Sequence, residues 1–204
     1  MRGRSLRIKH WMIKDVITIS PENTVEDAFQ LMKKHSIRHL PVVEGDKIVG
    51  LVTESSIRQY ALPSVMDKLA VREVMILNPI TIDAEATLDE AAKVIYRYKI
   101  GGLPVVQKGR LVGILTVTDL LGAFIELMGI LRSSCRIDVI PSQTENFDEV
   151  IDIIRSQGGH IISVGMDVHH SGKRIYYIRL EKCPLEPIAS ALEMAGHQVV
   201  SLVE

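Results

Sequence analysis

Two stretches of the chain place apolar residues at the i, i+3, i+4, i+7 spacing of a helix that packs one face against a core. The first stripe is Val25, Ala28, Leu31 and Met32, and the second is Leu88, Ala91, Val94 and Ile95. Thr24 and Thr87 stand just before the stripes, and Asp27 and Glu90 follow them by three residues, as in a capping box. The pattern therefore predicts two helices that begin directly after these threonines.

Short runs rich in β-branched residues follow each predicted helix. Residues 40–43 and 48–52 flank Glu44-Gly45-Asp46, and residues 103–115 repeat this arrangement around Lys108-Gly109. Two such runs joined by a turn predict a hairpin. A second helix is predicted to begin near Thr53 and near Thr116, so each unit has the order strand, helix, strand, strand, helix.

The two units are copies related by a shift of 63 residues, the difference between Met12 and Met75. The shift needs no gap over about fifty residues, and it places Leu40-Pro41-Val42-Val43 on Leu103-Pro104-Val105-Val106. A repeated unit generally cannot close its own core without its neighbour. Residues 8–130 are therefore predicted to form one pseudo-symmetric domain.

A different pattern begins at Arg136, after a change of composition at Ser133-Ser134. Strands are predicted at residues 136–140, 160–169, 174–180 and 198–203, with a hairpin across Ser171-Gly172. The first helical stripe ends at Gly158-Gly159 and consists of Phe147, Val150, Ile151 and Ile154. The second helix is predicted to open at Pro184 and to bury Ile188, Ala191, Leu192 and Ala195. The order βαββαβ predicts a ferredoxin-like domain, and the whole chain is predicted to be of the mixed α/β (α+β) class.

The first part of the chain resembles the CBS domain, whose tandem pairs form Bateman modules. The resemblance rests on the Leu-Pro-Val-Val runs, on the Val-Gly-x-x-Thr strand ends and on the segment Gly113-Ile114-Leu115-Thr116-Val117-Thr118-Asp119. That segment is similar to the Gly-x-x-Thr-x-x-Asp signature by which CBS pairs hold adenosyl ligands. The resemblance implies a first CBS repeat at residues 8–65 and a second at 66–130.

Thr116, Thr118 and Asp119 are the residues predicted to hold such a ligand. A helix that begins at Thr116 presents unpaired N–H groups and the positive end of its dipole to a phosphate. The carboxylate of Asp119 can accept two hydrogen bonds from vicinal ribose hydroxyls. The alternative is that Thr116-x-x-Asp119 is only a capping box, which stabilises a helix start without a ligand.

The resemblance also implies that the opposite repeat supplies the adenine pocket. In this chain that pocket corresponds to Ile17, Ile37 and the backbone of Arg38. Because side chains alternate along a strand, either Arg38 or His39 is predicted to face the cleft and meet phosphate, the alternative being that both are solvated edge residues. Gly101, followed by Gly102, holds the matching place in the second repeat and would let a ligand approach the backbone closely.

A second, weaker site is predicted from the same pseudo-symmetry. It comprises Thr53, Ser55 and Ser56, together with Ile80 and Ile100 as the counterparts of Ile17 and Ile37. Ser56 stands where the second repeat has Asp119, which departs from the family pattern. A hydroxyl in place of a carboxylate weakens the ribose contact by about 1–3 kcal/mol, so this site is expected to bind poorly or not at all.

The element order of residues 135–204, with Gly158-Gly159-His160-Ile161 where helix meets strand, resembles the ACT domain. That resemblance implies either an amino-acid ligand or a pure dimerisation role, and a homodimer in both cases. A CBS pair followed by an ACT-like domain also resembles the acetoin-utilisation accessory proteins of bacteria. This second resemblance implies a link to carbon metabolism.

Composition removes several classes of partner. With 24 Lys and Arg against 25 Asp and Glu, no global field favours nucleic acid or an anionic membrane. Cys135 and Cys183 fit free thiols of a reducing compartment, although a disulfide between them stays open. Neither a signal peptide nor a span is evident, so a soluble cytoplasmic protein is expected. No metal site is expected, because His169 and His170, adjacent on a strand, would face opposite sides.

The chain carries no nucleophile elbow, Walker loop or recognisable pair of carboxylates, so it is not expected to be an enzyme. The expected function is an allosteric sensor that binds AMP, ADP, ATP or S-adenosylmethionine between the repeats and requires no cofactor. It would act on an unidentified regulated protein or through its oligomer. The alternative is an oligomeric scaffold whose CBS cleft is vestigial.

Overall fold

The computed structural model describes residues 6–60, 66–132, 134–143 and 147–204. The chain divides into two compact units, Met1–Leu121 and Gly122–Glu204, with the division inside a helix. The domain bounds 8–65, 66–130 and 135–204 stay a prediction.

The first unit contains most of the repeated elements. Its helices, after a 3-10 turn at Ile8–His10, are α1 (Val25–His35), α2 (Glu54–Arg58), α3 (Val71–Val74), α4 (Leu88–Tyr98) and the first part of α5 (Val117–Leu127). Its strands are β1 (His39–Glu44), β2 (Lys47–Thr53), β3 (Ile76–Leu77), β4 (Ile82–Asp83), β5 (Gly102–Gln107) and β6 (Arg110–Thr116). They form two three-stranded sheets, in the orders β1-β2-β3 and β4-β5-β6.

The predicted capping boxes open the helices α1 and α4. The backbone N–H of Asp27 donates to Thr24 Oγ1 over 3.1 Å, and the N–H of Thr24 donates to Asp27 Oδ2 over 3.0 Å. Thr87 and Glu90 make the same pair of bonds. The hydrogen bond from the Thr24 backbone lowers the pKa of Asp27 below its usual value. The sequence prediction of both helix starts is confirmed.

The two hairpins are built alike, down to their irregularity. β1 pairs with β2 in antiparallel fashion and shifts register between Val42 and Val43, while β5 pairs with β6 and shifts between Val105 and Val106. The two shifts lie 63 residues apart, the period found in the sequence. The repeat found in the sequence is therefore also present in the structure.

Each repeat is completed by the first segment of the other one. Ile13, near the beginning of the first repeat, exchanges two backbone hydrogen bonds with Ile114 of β6 in the second, at 2.9 and 3.0 Å. β3, near the beginning of the second repeat, pairs with β2 in the first. Met12 packs over Gly113 and Met75 over Gly50, so closely that a Cβ at either glycine would overlap the methionine sulfur. This exchange explains why one repeat does not close its own core.

The same exchange corrects the predicted first strand of each unit. Before α1 the described residues form only isolated bridges, which link Arg7 to Thr87, Ile13 to Ile114, Ile19 to Val42 and Thr24 to Ala70. The bridges of Ile13 and Ile19 reach different sheets, so no continuous ladder forms there. In the second repeat the corresponding strand is β4, which has two residues and runs parallel to β5.

The second unit has the predicted order βαββαβ. After the end of α5 come β7 (Ser134–Ile140), α6 (Phe147–Ser156), β8 (Ile161–Val168), β9 (Arg174–Glu181), α7 (Glu186–Met194) and β10 (Gln198–Val203). The strands form one antiparallel sheet in the order β10-β7-β9-β8, which is the ferredoxin-like arrangement. Its core joins one sheet face to the two helices, with Ile137, Ile154, Ile178, Ile188 and Leu192 fully buried.

Three local predictions for this unit are wrong. α7 begins at Glu186, not at Pro184, because Pro187 is the proline that occupies the first turn. Ala195 is exposed, and Ala189 is buried in its place. His169 and His170 lie beyond the end of β8, where strand alternation no longer applies, and their ring centroids are 3.7 Å apart.

Candidate binding cleft in the repeat pair

A cleft of about 660 Å³ opens in the first unit, which is within the range of small-ligand sites. Both repeats contribute to its walls. The lining residues are Ile13, Ser36, Ile37, Arg38, His39, Thr53, Glu54, Ser55, Arg58, Gly101, Ile114, Thr116, Val117, Thr118 and Asp119. Seven of the eight residues predicted for the main site are among them, and Ile17 is not.

The start of α5 forms one wall of this cleft. β6 ends at Thr116, whose N–H and Oγ1 both donate to Asp119 Oδ2, over 2.8 and 2.6 Å. The N–H of Asp119 donates in return to Thr116 Oγ1 over 3.3 Å. The capping box that was the alternative interpretation is therefore present, and it lies on the cleft. The described hydrogen bonds of the carboxylate all use Oδ2, which leaves Oδ1 for another donor.

The corresponding start of α2 is built differently. The Ser56 hydroxyl accepts from the N–H of Thr53 over 3.0 Å and donates to the Thr53 carbonyl over 2.9 Å. Its single proton is thus already used, and Ser56 does not line the cleft. Thr53 and Ser55 line the same cleft as Asp119, with 2.9 Å between their hydroxyl oxygens.

Of the four isoleucines predicted to form adenine pockets, only Ile37 lines the cleft. Ile17, Ile80 and Ile100 do not. Ile17 packs against the core of the first repeat. Ile80 is exposed and Ile100 is half-buried, and neither lines the described cleft. The predicted roles of Ile17 and Ile80 depended on a regular first strand in each repeat, and that strand is replaced by isolated bridges and by the short β4.

Arg38 and His39 both line the cleft, although alternation along a strand predicted only one of them. The reason is that β1 begins at His39, so Arg38 lies ahead of the strand. The Arg38 carbonyl accepts a hydrogen bond from the N–H of Glu54 over 3.0 Å, which fixes this backbone beside the start of α2. A cationic side chain therefore stands at the cleft beside a histidine.

His39 lies directly over Gly101 and Gly102 of the other repeat. A Cβ on Gly102 would come within 2.7 Å of His39 Cγ, and one on Gly101 within 2.9 Å of His39 Nε2. The absence of side chains at the two glycines therefore leaves room for the imidazole of His39. The sequence analysis expected this space to be used by a ligand. Burial and the neighbouring Arg38 charge lower the pKa of His39, so the ring is neutral near pH 7.

Sequence reasoning missed several lining residues. Glu54 and Arg58 form an ion pair of 3.2 Å at the cleft, and their i, i+4 spacing after Thr53 is a signal that the sequence does carry. Ile13 and Ile114 reach the cleft only through the exchanged segment, which no local pattern indicates.

No three His, Cys, Asp or Glu side chains come together among the described residues as a metal site would require. Within residues 6–60, 66–132, 134–143 and 147–204, no helix has the length and apolar character that a bilayer crossing needs.

The CBS domain family matches residues 8–63 and 71–126, which together make up more than half of the chain. The chain belongs to the CBS domain family. The matched ranges contain both hairpins, both capped helix starts and every residue of the cleft.

Three relatives place this CBS pair among proteins of different kinds. The inosine-5′-monophosphate dehydrogenase of Korarchaeum cryptofilum is 44% identical over 114 residues, which are 55% of this chain but only 23% of that protein's length. A putative acetoin utilization protein (AcuB) from Vibrio cholerae superposes with a TM-score of 0.56 at 30% identity, over 63% of this chain and 96% of that one. The CBS domain pair of protein MJ0100, in complex with 5′-methylthioadenosine and S-adenosyl-L-methionine, superposes with a TM-score of 0.53 at 32% identity, over 58% of this chain and 94% of that one.

Proposed function

We propose that this protein is a regulatory module that binds one adenosyl ligand, an adenine nucleotide or S-adenosylmethionine, in the cleft of its CBS pair. The observation that carries the proposal is the meeting of Asp119 at the start of α5 with Arg38 of the other repeat in one cleft. Ligand complexes of the MJ0100 CBS pair support the adenosyl class.

The ribose is held by Asp119. Because the two Thr116 bonds occupy both lone pairs of Oδ2, Oδ1 with its own two lone pairs is the atom that accepts from the ribose hydroxyls. The capping bonds also fix the orientation of the carboxylate before the ligand arrives. A preorganised acceptor loses less side-chain entropy on binding than a mobile one.

The phosphate end of a nucleotide meets the polar end of the cleft. Arg38, the Thr118 hydroxyl and the positive end of the α5 dipole favour an anion there. Glu54, which begins α2 and is paired with Arg58, is a second acidic residue of the cleft lining besides Asp119. A nucleotide with several phosphates would bring more negative charge to these carboxylates, which favours a monophosphate or an adenosyl compound without phosphate.

The second half-site does not bind on its own. The Ser56 hydroxyl is committed to its helix cap and lies off the cleft, while Thr53 and Ser55 open onto the same cavity as Asp119. The pseudo-symmetry therefore yields one cavity with two unequal sides. One ligand per chain follows.

The protein acts by regulation, not by catalysis. The match to the Korarchaeum cryptofilum dehydrogenase covers only 23% of that protein's length, which supports a regulatory role for the shared CBS segment. We place the protein in the cytoplasm as a homodimer, with the ferredoxin-like unit as the ACT-like dimerisation part or amino-acid sensor and a regulated protein as its target. The similarity to the Vibrio cholerae protein supports a role in acetoin-type metabolism.

Titration calorimetry with AMP, ADP, ATP and S-adenosylmethionine tests the proposal. At least one ligand is expected to bind with a stoichiometry of one per chain. Asp119→Asn keeps an oxygen that can accept the Thr116 cap but removes the charge, and it is expected to weaken binding at least tenfold. Ser56→Ala is the matched control, because it removes the equivalent cap outside the cleft and should leave the affinity within about twofold.

Two results would contradict the proposal. The first is the absence of heat with every adenosyl compound, which would favour the scaffold with a vestigial cleft. The second is equal loss of affinity in Asp119→Asn and Ser56→Ala, since that would point to a general loss of stability.

A further inference from the structure

The chain has two cysteines, and the fold of the second unit brings them together. Cys135 lies near the start of β7, and Cys183 lies between β9 and α7, 48 residues further along the chain. Their sulfur atoms are 3.7 Å apart. Two thiols so distant in sequence meet only because β7 and β9 are paired, with Cys135 opposite Leu180.

The surroundings of the two thiols differ. Cys135 is only 2% exposed and belongs to the core between the sheet and its helices. Its Sγ also lies 3.5 Å from the carbonyl of Glu181 and 3.6 Å from that of Cys183. Cys183 is half-buried, so it is the sulfur that a small oxidant can reach.

We propose that Cys135 and Cys183 form a reversible intramolecular disulfide when the protein meets a peroxide. A disulfide requires a sulfur separation of about 2.05 Å, so each sulfur must move by roughly 1 Å, which small rotations of the two side chains supply. The bond would tie the start of β7 to the segment that leads into α7.

The reaction begins at Cys183. Its thiolate attacks one oxygen of hydrogen peroxide, gives up two electrons to the O–O bond and becomes a sulfenic acid, and hydroxide leaves. The Cys135 sulfur then attacks the Cys183 sulfur, loses its proton and displaces the sulfenic oxygen as water. In sum, two thiols and one peroxide give one disulfide and two waters.

The first step is slow at neutral pH. Burial and the neighbouring thiol raise the pKa of Cys183 to about 11, so only a small fraction is thiolate near pH 7. The rate of disulfide formation should therefore rise about tenfold per pH unit between pH 7 and pH 9. The pair behaves as a site that oxidises under sustained exposure and not as a fast peroxide sensor.

Peptide mapping of the full-length protein after treatment with hydrogen peroxide tests this proposal. The expected product is a single peptide pair linking Cys135 to Cys183, with a mass lower by two hydrogen atoms, no titratable thiol under denaturing conditions, and full reversal by dithiothreitol. In Cys135→Ser the sulfenic acid on Cys183 has no partner and should be trapped by dimedone. In Cys183→Ser the buried Cys135 should stay a thiol while the protein is folded.

Three outcomes would overturn the proposal. In one, both thiols of the wild type persist under conditions that oxidise a small dithiol. In another, Cys183 proceeds to sulfinic acid while Cys135 remains a thiol. In the third, the cross-link joins two chains. Since mapping of the wild-type protein already distinguishes these outcomes, the test does not depend on the folding of either variant.

Discussion

Replacing Gly113 with Ala tests the exchanged segments on which the repeat pair depends. An added Cβ would overlap Met12 Sδ, lie 2.8 Å from Met12 Cγ and come within 3.0 Å of the Ile13 carbonyl oxygen. The Ile13 carbonyl is held by its bond to Ile114, so the overlapping Met12 side chain must leave its packed position. Forcing a methyl group into a packed core of this kind costs about 1–3 kcal/mol.

Gly122→Ala is the matched control for this substitution. Gly122 also lies in the second repeat, but nothing stands within 4 Å of its added Cβ, and it is in the interior of α5. Alanine there should stabilise the protein by about 0.5–1 kcal/mol, because it reduces the entropy of the unfolded chain.

Urea unfolding of the wild type, the single variants Gly113→Ala and Met12→Ala, and the double variant measures the coupling energy between the two residues. The double variant should recover at least about 1 kcal/mol relative to the sum of the single changes, since the alanine at position 12 removes the overlapping sulfur. Two results together would contradict the packing of Met12 on Gly113. These are a Gly113→Ala variant as stable as the wild type, and additive free-energy changes for the two substitutions.

Two further predictions concern single groups. The pKa of His39 is lower in the folded protein than in the unfolded chain, so the unfolded chain binds the imidazole proton more tightly. The free energy of unfolding should therefore fall as the pH drops from about 6.5 through the folded pKa. His39→Gln should make the free energy of unfolding less dependent on pH in this range. Urea midpoints between pH 5 and pH 8 check it, and identical profiles for both proteins would contradict it. Thr24→Ala removes the cap of α1 and should cost about 1 kcal/mol in the same assay, whereas Ser171→Ala in the exposed β8–β9 turn should cost less than about 0.5 kcal/mol.

The sequence predicted those parts of the fold that local patterns control. The stripes of α1 and α4, the caps at Thr24 and Thr87 and the two hairpins follow from spacing within about twelve residues, and all are confirmed. The ferredoxin-like order of the second unit follows from the same local signals. Its sheet order is the arrangement expected for βαββαβ.

Features that depend on distant pairing were not predictable in this way. The contact of Ile13 with Ile114 joins residues about a hundred positions apart, and no periodicity indicates it. The placement of His39 over Gly101 also requires both repeats to be assembled. Ile17 and Ile80 do not line the described cleft for a related reason, because the regular first strand expected in each repeat does not form.

The pseudo-symmetry of the sequence predicted several residues of the candidate site but not how they are arranged. Thr116 and Asp119 were found because a helix cap leaves a signature in sequence, and the absence of an acid at Ser56 predicted two unequal sides. What the sequence did not give was the geometry that makes them unequal. The Ser56 hydroxyl is hydrogen-bonded to Thr53 within the cap of α2, whereas Thr53 and Ser55 line the same cleft as Asp119.

A crystal structure of the protein grown with AMP would test the central claim most directly. We expect one molecule per chain, with its ribose hydroxyls on the Asp119 carboxylate and its phosphate toward Arg38 and the start of α5. A nucleotide bound beside Ser56 with the Asp119 side empty, or an unoccupied cleft at saturating AMP in a protein that binds AMP in solution, would contradict the account.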